Sequence, residues 1–237
     1  MKKLYGIGVG PGDPDLLTIK GKKIMNSVDV LLCPVKKAGD KSYAYEIIES
    51  HLENEDVIIK EVVYPMHYKT KTLEEYWQDN GQMITGLIRE GKTCAFITLG
   101  DPTLYSTFMY TLPYVDLEEE EIGIIPGITS FSAVASELNQ ALTTWDESLK
   151  IMPVQRQSQE ELVERLKNED NIILMKPSRD PKPIAGALRQ LGLEDKFKMI
   201  TKVGRDETHI VSDIETLENQ EVPYLSTMLV KKGGFRG

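Results

Sequence analysis

Through the first 112 residues, short apolar runs alternate with stretches of helical period, and this rhythm constrains the fold more than any other feature of the chain. "LYGIGVG" leads to a helix expected over 15–27, "DVLLCP" to one over 43–53, "VIIKEVVYP" to 72–90 and "TCAFITLG" to 103–112. Each run is strand-length, and each is followed by a segment long enough to carry the chain back. That pattern builds βαβ units, hence a parallel sheet with helices on its faces. In such a sheet the loops at the strand C-termini carry the site.

The rhythm breaks at Pro113 and the acidic run "DLEEEE" (116–121), which reads as a solvated surface segment and marks a domain boundary. At 237 residues the chain is long enough for two modest domains, here 1–116 and 117–237. Beyond the boundary come "IGIIPG", a helix from "TSFSAVASEL", "SLKIMPV", helix 159–168, "NIILMKP", helix 181–191, "FKMITKV" and "YLSTMLV". These strands are more varied and the later ones closely connected. The expectation is an α/β protein of two α/β domains, the N-terminal sheet mostly parallel and the C-terminal sheet mixed.

A net charge of −9 and a pI near 5.0 weigh against a general nucleic-acid binder, which carries a clustered basic face, but leave room for a local basic pocket. Cys33 and Cys94 lie far apart in apolar segments, which predicts two reduced, buried thiols. The apolar run after Met1-Lys2-Lys3 is broken by "GPGDPD" before signal-peptide length, and no stretch approaches a membrane span. A cytoplasmic protein with no membrane or nucleic-acid partner is expected. His51, His67 and His209 share no ligand spacing, and no metal site is expected.

The opening "YGIGVGPGDPDLLTIKGKKIM" (5–25) has the look of a nucleotide-binding turn. A dinucleotide fingerprint needs G-x-G-x-x-G, and here Gly8 and Gly10 take the first two places while Asp13 takes the third. Pro11 removes an N–H donor, and Asp13 with Asp15 puts negative charge where a phosphate would come. A ligand of little negative charge, or a positive one, suits this turn. The alternative is a plain helix start, with Asp13 or Asp15 as cap and the glycines serving a tight turn.

Gly-Asp-Pro occurs at 12–14 and again at 100–102, each time directly after an apolar strand, and "IGIIPGITSF" repeats the grammar with Pro126-Gly127. Three turns built alike suggest one shared crevice. In "FITLGDPTLYSTF" (96–108), Gly100 permits a sharp turn and Asp101, Pro102, Thr103, Tyr105, Ser106 and Thr107 crowd the helix start, more polar groups than capping alone requires.

"GVGPGDPDLLTIKG", "GDPTLYST", "IIPGITSF" and "LMKPS" (174–178) occur in the order and spacing of the tetrapyrrole methylase family, which the chain resembles over nearly its whole length. The resemblance implies two α/β domains with a cleft between them for S-adenosylmethionine, a sulfonium cofactor for which Pro11 and Asp13 are no anomaly. It implies cofactor contacts at Pro11, Gly100, Asp101, Pro102, Ser106, Thr107, Thr129, Ser130, Met175 and Gly204. It also implies a homodimer. Thr201 and Lys202 depart from the Glu-Arg start that many relatives carry before the position of Gly204. Within the family, "GDPTLYST", with Ser106 where other branches more often carry glycine, resembles the branch that methylates C20 of precorrin-2, metal-free or cobalt-bound, in cobalamin biosynthesis. The chain length and "VVYPM" (62–66) resemble that branch too.

Methyl transfer from a sulfonium needs alignment and exclusion of water rather than a nucleophile or metal triad. Loss of the C20 proton would be helped by a carboxylate or phenol, and Asp101 and Tyr105 are the candidates. A tetrapyrrole substrate bearing several carboxylates calls for local cations. Lys36 and Lys37, then His67, Lys69 and Lys71, then Arg179 and Lys182 all follow strand ends. Rival readings are the same fold acting on another corrinoid carbon, a protein side chain or an RNA ribose, and a non-catalytic tetrapyrrole- or cofactor-binding module. An NTP-using enzyme is disfavoured, because G-x-x-x-x-G-K-[ST] does not occur.

Overall fold

The structure, a computed structural model, describes residues 3–65, 70–154, 156–177 and 180–236, with 70–72 described by backbone alone. The chain divides into two compact units, Met1–Thr129 and Ser130–Gly237.

Unit 1 is built on a parallel sheet of β1 (Leu4–Gly8), β2 (Val30–Val35), β3 (Ile58–Val63), β4 (Cys94–Thr98) and β5 (Ile122–Ile125), in the order β3-β2-β4-β1-β5. The apolar strands are two-sided because both faces are covered. Tyr5, Ile7, Leu31, Cys33 and Ile97 pack with residues of α1 (Ile19–Met25) and α2 (Tyr43–Ile48) on one face. Leu4, Val30, Leu32 and Phe96 pack with α3 (Thr70–Arg89) and α4 (Thr107–Thr111) on the other. Both cysteines are free and buried.

The helix expected over 15–27 divides in two. Asp13 caps a 3-10 turn, Pro14–Leu16, and Thr18 caps α1 by accepting from Gly21 N. Likewise the helix expected from 103 begins only at Thr107, because Ser106 is the residue whose side chain caps it.

Unit 2 holds β6 (Leu149–Pro153), β7 (Asn171–Met175), β8 (Phe197–Thr201), β9 (His209–Val211) and β10 (Ser226–Lys231), in the order β6-β7-β10-β8-β9. Only β6 and β7 pair in parallel, so this sheet is mixed, as expected. Residues of α6 (Gln159–Leu166), α7 (Lys182–Gln190) and α8 (Ile214–Asn219) pack on one face, and α5 (Ser130–Glu137) on the other. β9 and α8 carry no strong apolar run, so the sequence pattern predicts neither.

The division after Thr129 differs from the boundary expected at 116/117. β5 pairs in parallel with β1, Ile7 opposite Ile125, so the segment after the acidic run completes the first sheet before the chain leaves it. The acidic run itself lies on the surface, as a solvated segment should. Among the described residues no helix is long and apolar enough to cross a membrane.

Candidate functional site

β1 lies between β4 and β5, so the turns that leave these three strands are neighbours. They meet main chain to main chain. Gly100 N donates to Gly10 O at 2.8 Å and Gly10 N to Gly100 O at 3.4 Å, a short antiparallel bridge. A methyl group on Gly8 would lie 2.6 Å from Gly127 N and closer still to Gly100 O, so no side chain fits there. Asp101 braces the junction. Its Oδ2 accepts from Gly127 N at 3.0 Å, and its Oδ1 accepts from Thr103 N at 2.8 Å and Thr103 Oγ1 at 2.5 Å.

Of the polar groups crowded after β4, some have plain structural duties. The buried Ser106 donates to Pro102 O and accepts from Met109 N at 3.3 Å, so its hydroxyl is committed to the cap. Tyr105 is half-buried and held at φ 50°, a left-handed backbone that costs a non-glycine residue energy and recurs at ligand sites. Pro11 and Pro102 are buried, while Thr107 and Thr129 are half-buried beside the glycine junction and its following helix.

In unit 2 two of the expected cofactor residues converge through a third that the sequence did not suggest. Thr227 stands opposite Met175 in the β10–β7 register, and its Oγ1 donates to Ser130 Oγ at 3.0 Å. Thr227 also stands opposite Ile200 of β8, so the C-terminal ends of β7 and β8 flank the start of β10 at one end of the sheet. The residues leaving those two ends, Lys176 and Lys202, both have left-handed backbones, at φ 50° and 53°. Gly204 follows at φ 77°. Lys202 forms an ion pair with Glu207, which holds that carboxyl below its ordinary value. Burial pulls the Lys176 ammonium below its ordinary value.

Of the cations expected around the substrate, Lys36 is half-buried after β2 with its Nζ 5.1 Å from the Tyr43 ring centroid. Lys37 is exposed beside it, and Lys182 is exposed at the first position of α7. His67, Lys69 and Arg179 lie outside the described residues, as does the side chain of Lys71.

The three glycine turns contain no lysine or arginine, and they carry Asp13 and Asp101. That donor set opposes a phosphate and fits a neutral or cationic group. Asp13 also caps the 3-10 turn by accepting from Asp15 N at 2.9 Å, so the capping reading of the opening motif holds as well. Beside Gly100, Ile128 is 38% exposed.

The profile of the tetrapyrrole (corrin/porphyrin) methylases matches residues 3–218, and the chain belongs to that family. Its relatives include the probable cobalt-precorrin-2 C(20)-methyltransferase of Methanocaldococcus jannaschii, 35% identical over 98% of this chain and 97% of that one. The cobalt-precorrin-2 C(20)-methyltransferase of Salmonella typhimurium is 30% identical over 97% and 96%. Among solved structures, the cobalamin biosynthetic cobalt precorrin-4 methyltransferase CbiF superposes with a TM-score of 0.72 at 24% identity, covering 96% of this chain and 94% of that one. The uroporphyrin-III C-methyl transferase of Thermus thermophilus, complexed with S-adenosylhomocysteine, gives 0.68 at 16% identity and covers 97% of both chains.

Proposed function

We propose that this chain methylates C20 of precorrin-2, or of its cobalt form, with S-adenosylmethionine as donor, in cobalamin biosynthesis. The single observation that carries the reading is similarity at 35% identity over nearly the full length to a relative named for that reaction. The cation-free glycine turns of unit 1 agree with a sulfonium donor.

Bound S-adenosylmethionine supplies a methyl group already activated for displacement. The chain's own task is then to orient and to exclude water. Main chain at Gly10, Gly100 and Gly127 forms a rigid edge against which Pro11, Pro102, Thr107 and Thr129 line the donor's site. Ser130, Met175 and Gly204 of unit 2 are donor contacts proposed on the family resemblance alone. Asp101 acts as a positioning residue, since its two oxygens already accept hydrogen bonds from Gly127 and Thr103. Tyr105, carried on a left-handed backbone, is the other candidate to assist loss of the C20 proton. Lys36, His67, Lys69, Lys71, Arg179 and Lys182 are the cations proposed for the substrate's carboxylates. The working form is a cytoplasmic homodimer, so sedimentation equilibrium should give about twice the 26.7 kDa chain mass.

Anaerobic incubation with methyl-labelled donor and either form of precorrin-2, followed by mass spectrometry and carbon NMR, tests the reading. One label at C20 supports it, and the faster substrate assigns the metal state. A label at another carbon moves the chain to a different branch of the family. No transfer while the donor demonstrably binds would leave a non-catalytic module.

A further inference from the structure

Thr227 stands in the interior of the second sheet, on β10 between β7 and β8, with Met175 and Ile200 as its cross-strand neighbours. It is buried, and so are the apolar residues that follow it, Met228, Leu229 and Val230. Valine would suit such a place, since it has the shape of threonine and keeps the β-branch that strands favour. A hydroxyl buried there carries a desolvation cost unless it is bonded. The neighbouring Ser226 spends its hydroxyl locally, donating to Pro223 O at 2.6 Å. Thr227 instead reaches a residue 97 positions away, donating to Ser130 Oγ at 3.0 Å.

A hydroxyl has one proton to give and two lone pairs to accept with. By accepting from Thr227, the Ser130 oxygen keeps its own proton for another partner. Ser130 is the first residue of α5 and half-buried, and among the described residues no acceptor takes that proton. We infer that Thr227 is a positioning residue for the methyl donor: its hydroxyl fixes Ser130 Oγ as a hydrogen-bond donor to an acceptor atom of the bound sulfonium compound. Without that bond the Ser130 side chain would spread over its staggered rotamers, and the ligand would have to order it on binding. The inference rests on the place given to Ser130 among the donor contacts in the proposed function.

Calorimetric titration of S-adenosylhomocysteine, with Tm measured beside it, compares the wild type with Thr227→Val, Thr227→Ser, Ser130→Ala and the Thr227→Val/Ser130→Ala double variant. Valine removes the hydroxyl and keeps the shape, so Tm should hold. Thr227→Val and Ser130→Ala should each weaken binding about three- to tenfold, the worth of one neutral hydrogen bond. The double variant should bind no more weakly than Ser130→Ala, because both changes act through one hydroxyl. Thr227→Ser should recover wild-type affinity. Wild-type affinity in Thr227→Val would overturn the inference and leave Ser130 as a donor contact, and so would losses that add in the double variant. A fall in Tm that accompanies the lost affinity, with no recovery in Thr227→Ser, would also overturn it, since the bond then only stitches α5 to the sheet. Unchanged binding by Ser130→Ala would remove Ser130 from the donor contacts and the inference with it, while methylation at C20 stands or falls by its own assay. A wild type that fails to bind S-adenosylhomocysteine would take the proposed function and the inference down together.

Discussion

Gly100 and Gly127 are glycine for different reasons, and substitution separates them. A methyl on Gly127 would lie 2.7 Å from the carbonyl carbon of Gly8 and closer still to Gly100 O, all main chain that cannot rotate away. Gly127→Ala should therefore cost about 3 kcal/mol or more and abolish donor binding, read by urea denaturation and calorimetric titration. Gly100 sits at φ 66° with ordinary contacts no nearer than 3.8 Å, so Gly100→Ala meets backbone strain alone, about 1 kcal/mol by the same denaturation. Asp101→Asn turns one acceptor into an amide donor facing either Gly127 N or Thr103 N. The expected loss is about 1–3 kcal/mol of stability together with weaker S-adenosylhomocysteine binding, and that joint loss distinguishes a brace from a base. A variant of normal stability and donor affinity that fails only in turnover would return Asp101 to a catalytic role.

At the scale of elements, the loop between α5 and β6 has the most to reveal. Lys231, 8% exposed at the end of β10, donates to Ala141 O, Leu142 O and Asn171 Oδ1. Asn171 Nδ2 in turn donates to Glu147 Oε2 at 3.0 Å, and Thr144 N donates to the same oxygen at 2.9 Å. This network pins a loop that displays a fully exposed Trp145 at φ 53°. Lys231→Met strands three acceptors and should cost about 3 kcal/mol in denaturation. The Asn171 and Thr144 bonds hold the Glu147 carboxyl below its ordinary value of 4.5. Its contribution is whole above that pH and is lost as pH falls through the lowered value, so Trp145 fluorescence should change on acidification below about 4.5.

Such elements were unequally legible in the sequence. β1, β4 and β7 are continuous apolar runs ending in glycine, proline or lysine and were readable at once. β9, with two of its three residues exposed, and α8, whose signal is Asp213 accepting from Thr216 N, offered little pattern. The turns at Gly8, Gly100 and Gly127 were visible as repeated Gly-Asp-Pro and Pro-Gly grammar. Thr227 was not, because its meeting with Met175 and Ser130 depends on strand register.

For the whole molecule, the chain carries its own reporters of the two units. Cys33 and Cys94 are buried in unit 1, and in a Trp77→Phe background, which removes the tryptophan of unit 1, Trp145 reports on unit 2. Burial first, and then Glu61, pushes the Cys33 thiol up to about 12; burial and Asp29 push that of Cys94 to about 11. Both should resist a thiol reagent at pH 8 until unit 1 opens. Their stabilisation is complete below the ordinary thiol value of 9.0 and is lost as pH rises through 11 to 12, so the denaturation midpoint should fall across that alkaline range. Since each unit has its own core clusters, Lys231→Met should lower the midpoint read by Trp145 and leave thiol labelling in place. Coincident shifts would mean that the units unfold as one.

The meeting of Gly8, Gly100 and Gly127 also bears on how a fold diversifies. A junction made of peptide groups has no side chains to drift, and it asks nothing of its neighbours beyond room. Surrounding loops can then exchange sequence freely while the joint keeps its dimensions. That gives a physical route by which a protein only 24% identical can share this fold at a TM-score of 0.72.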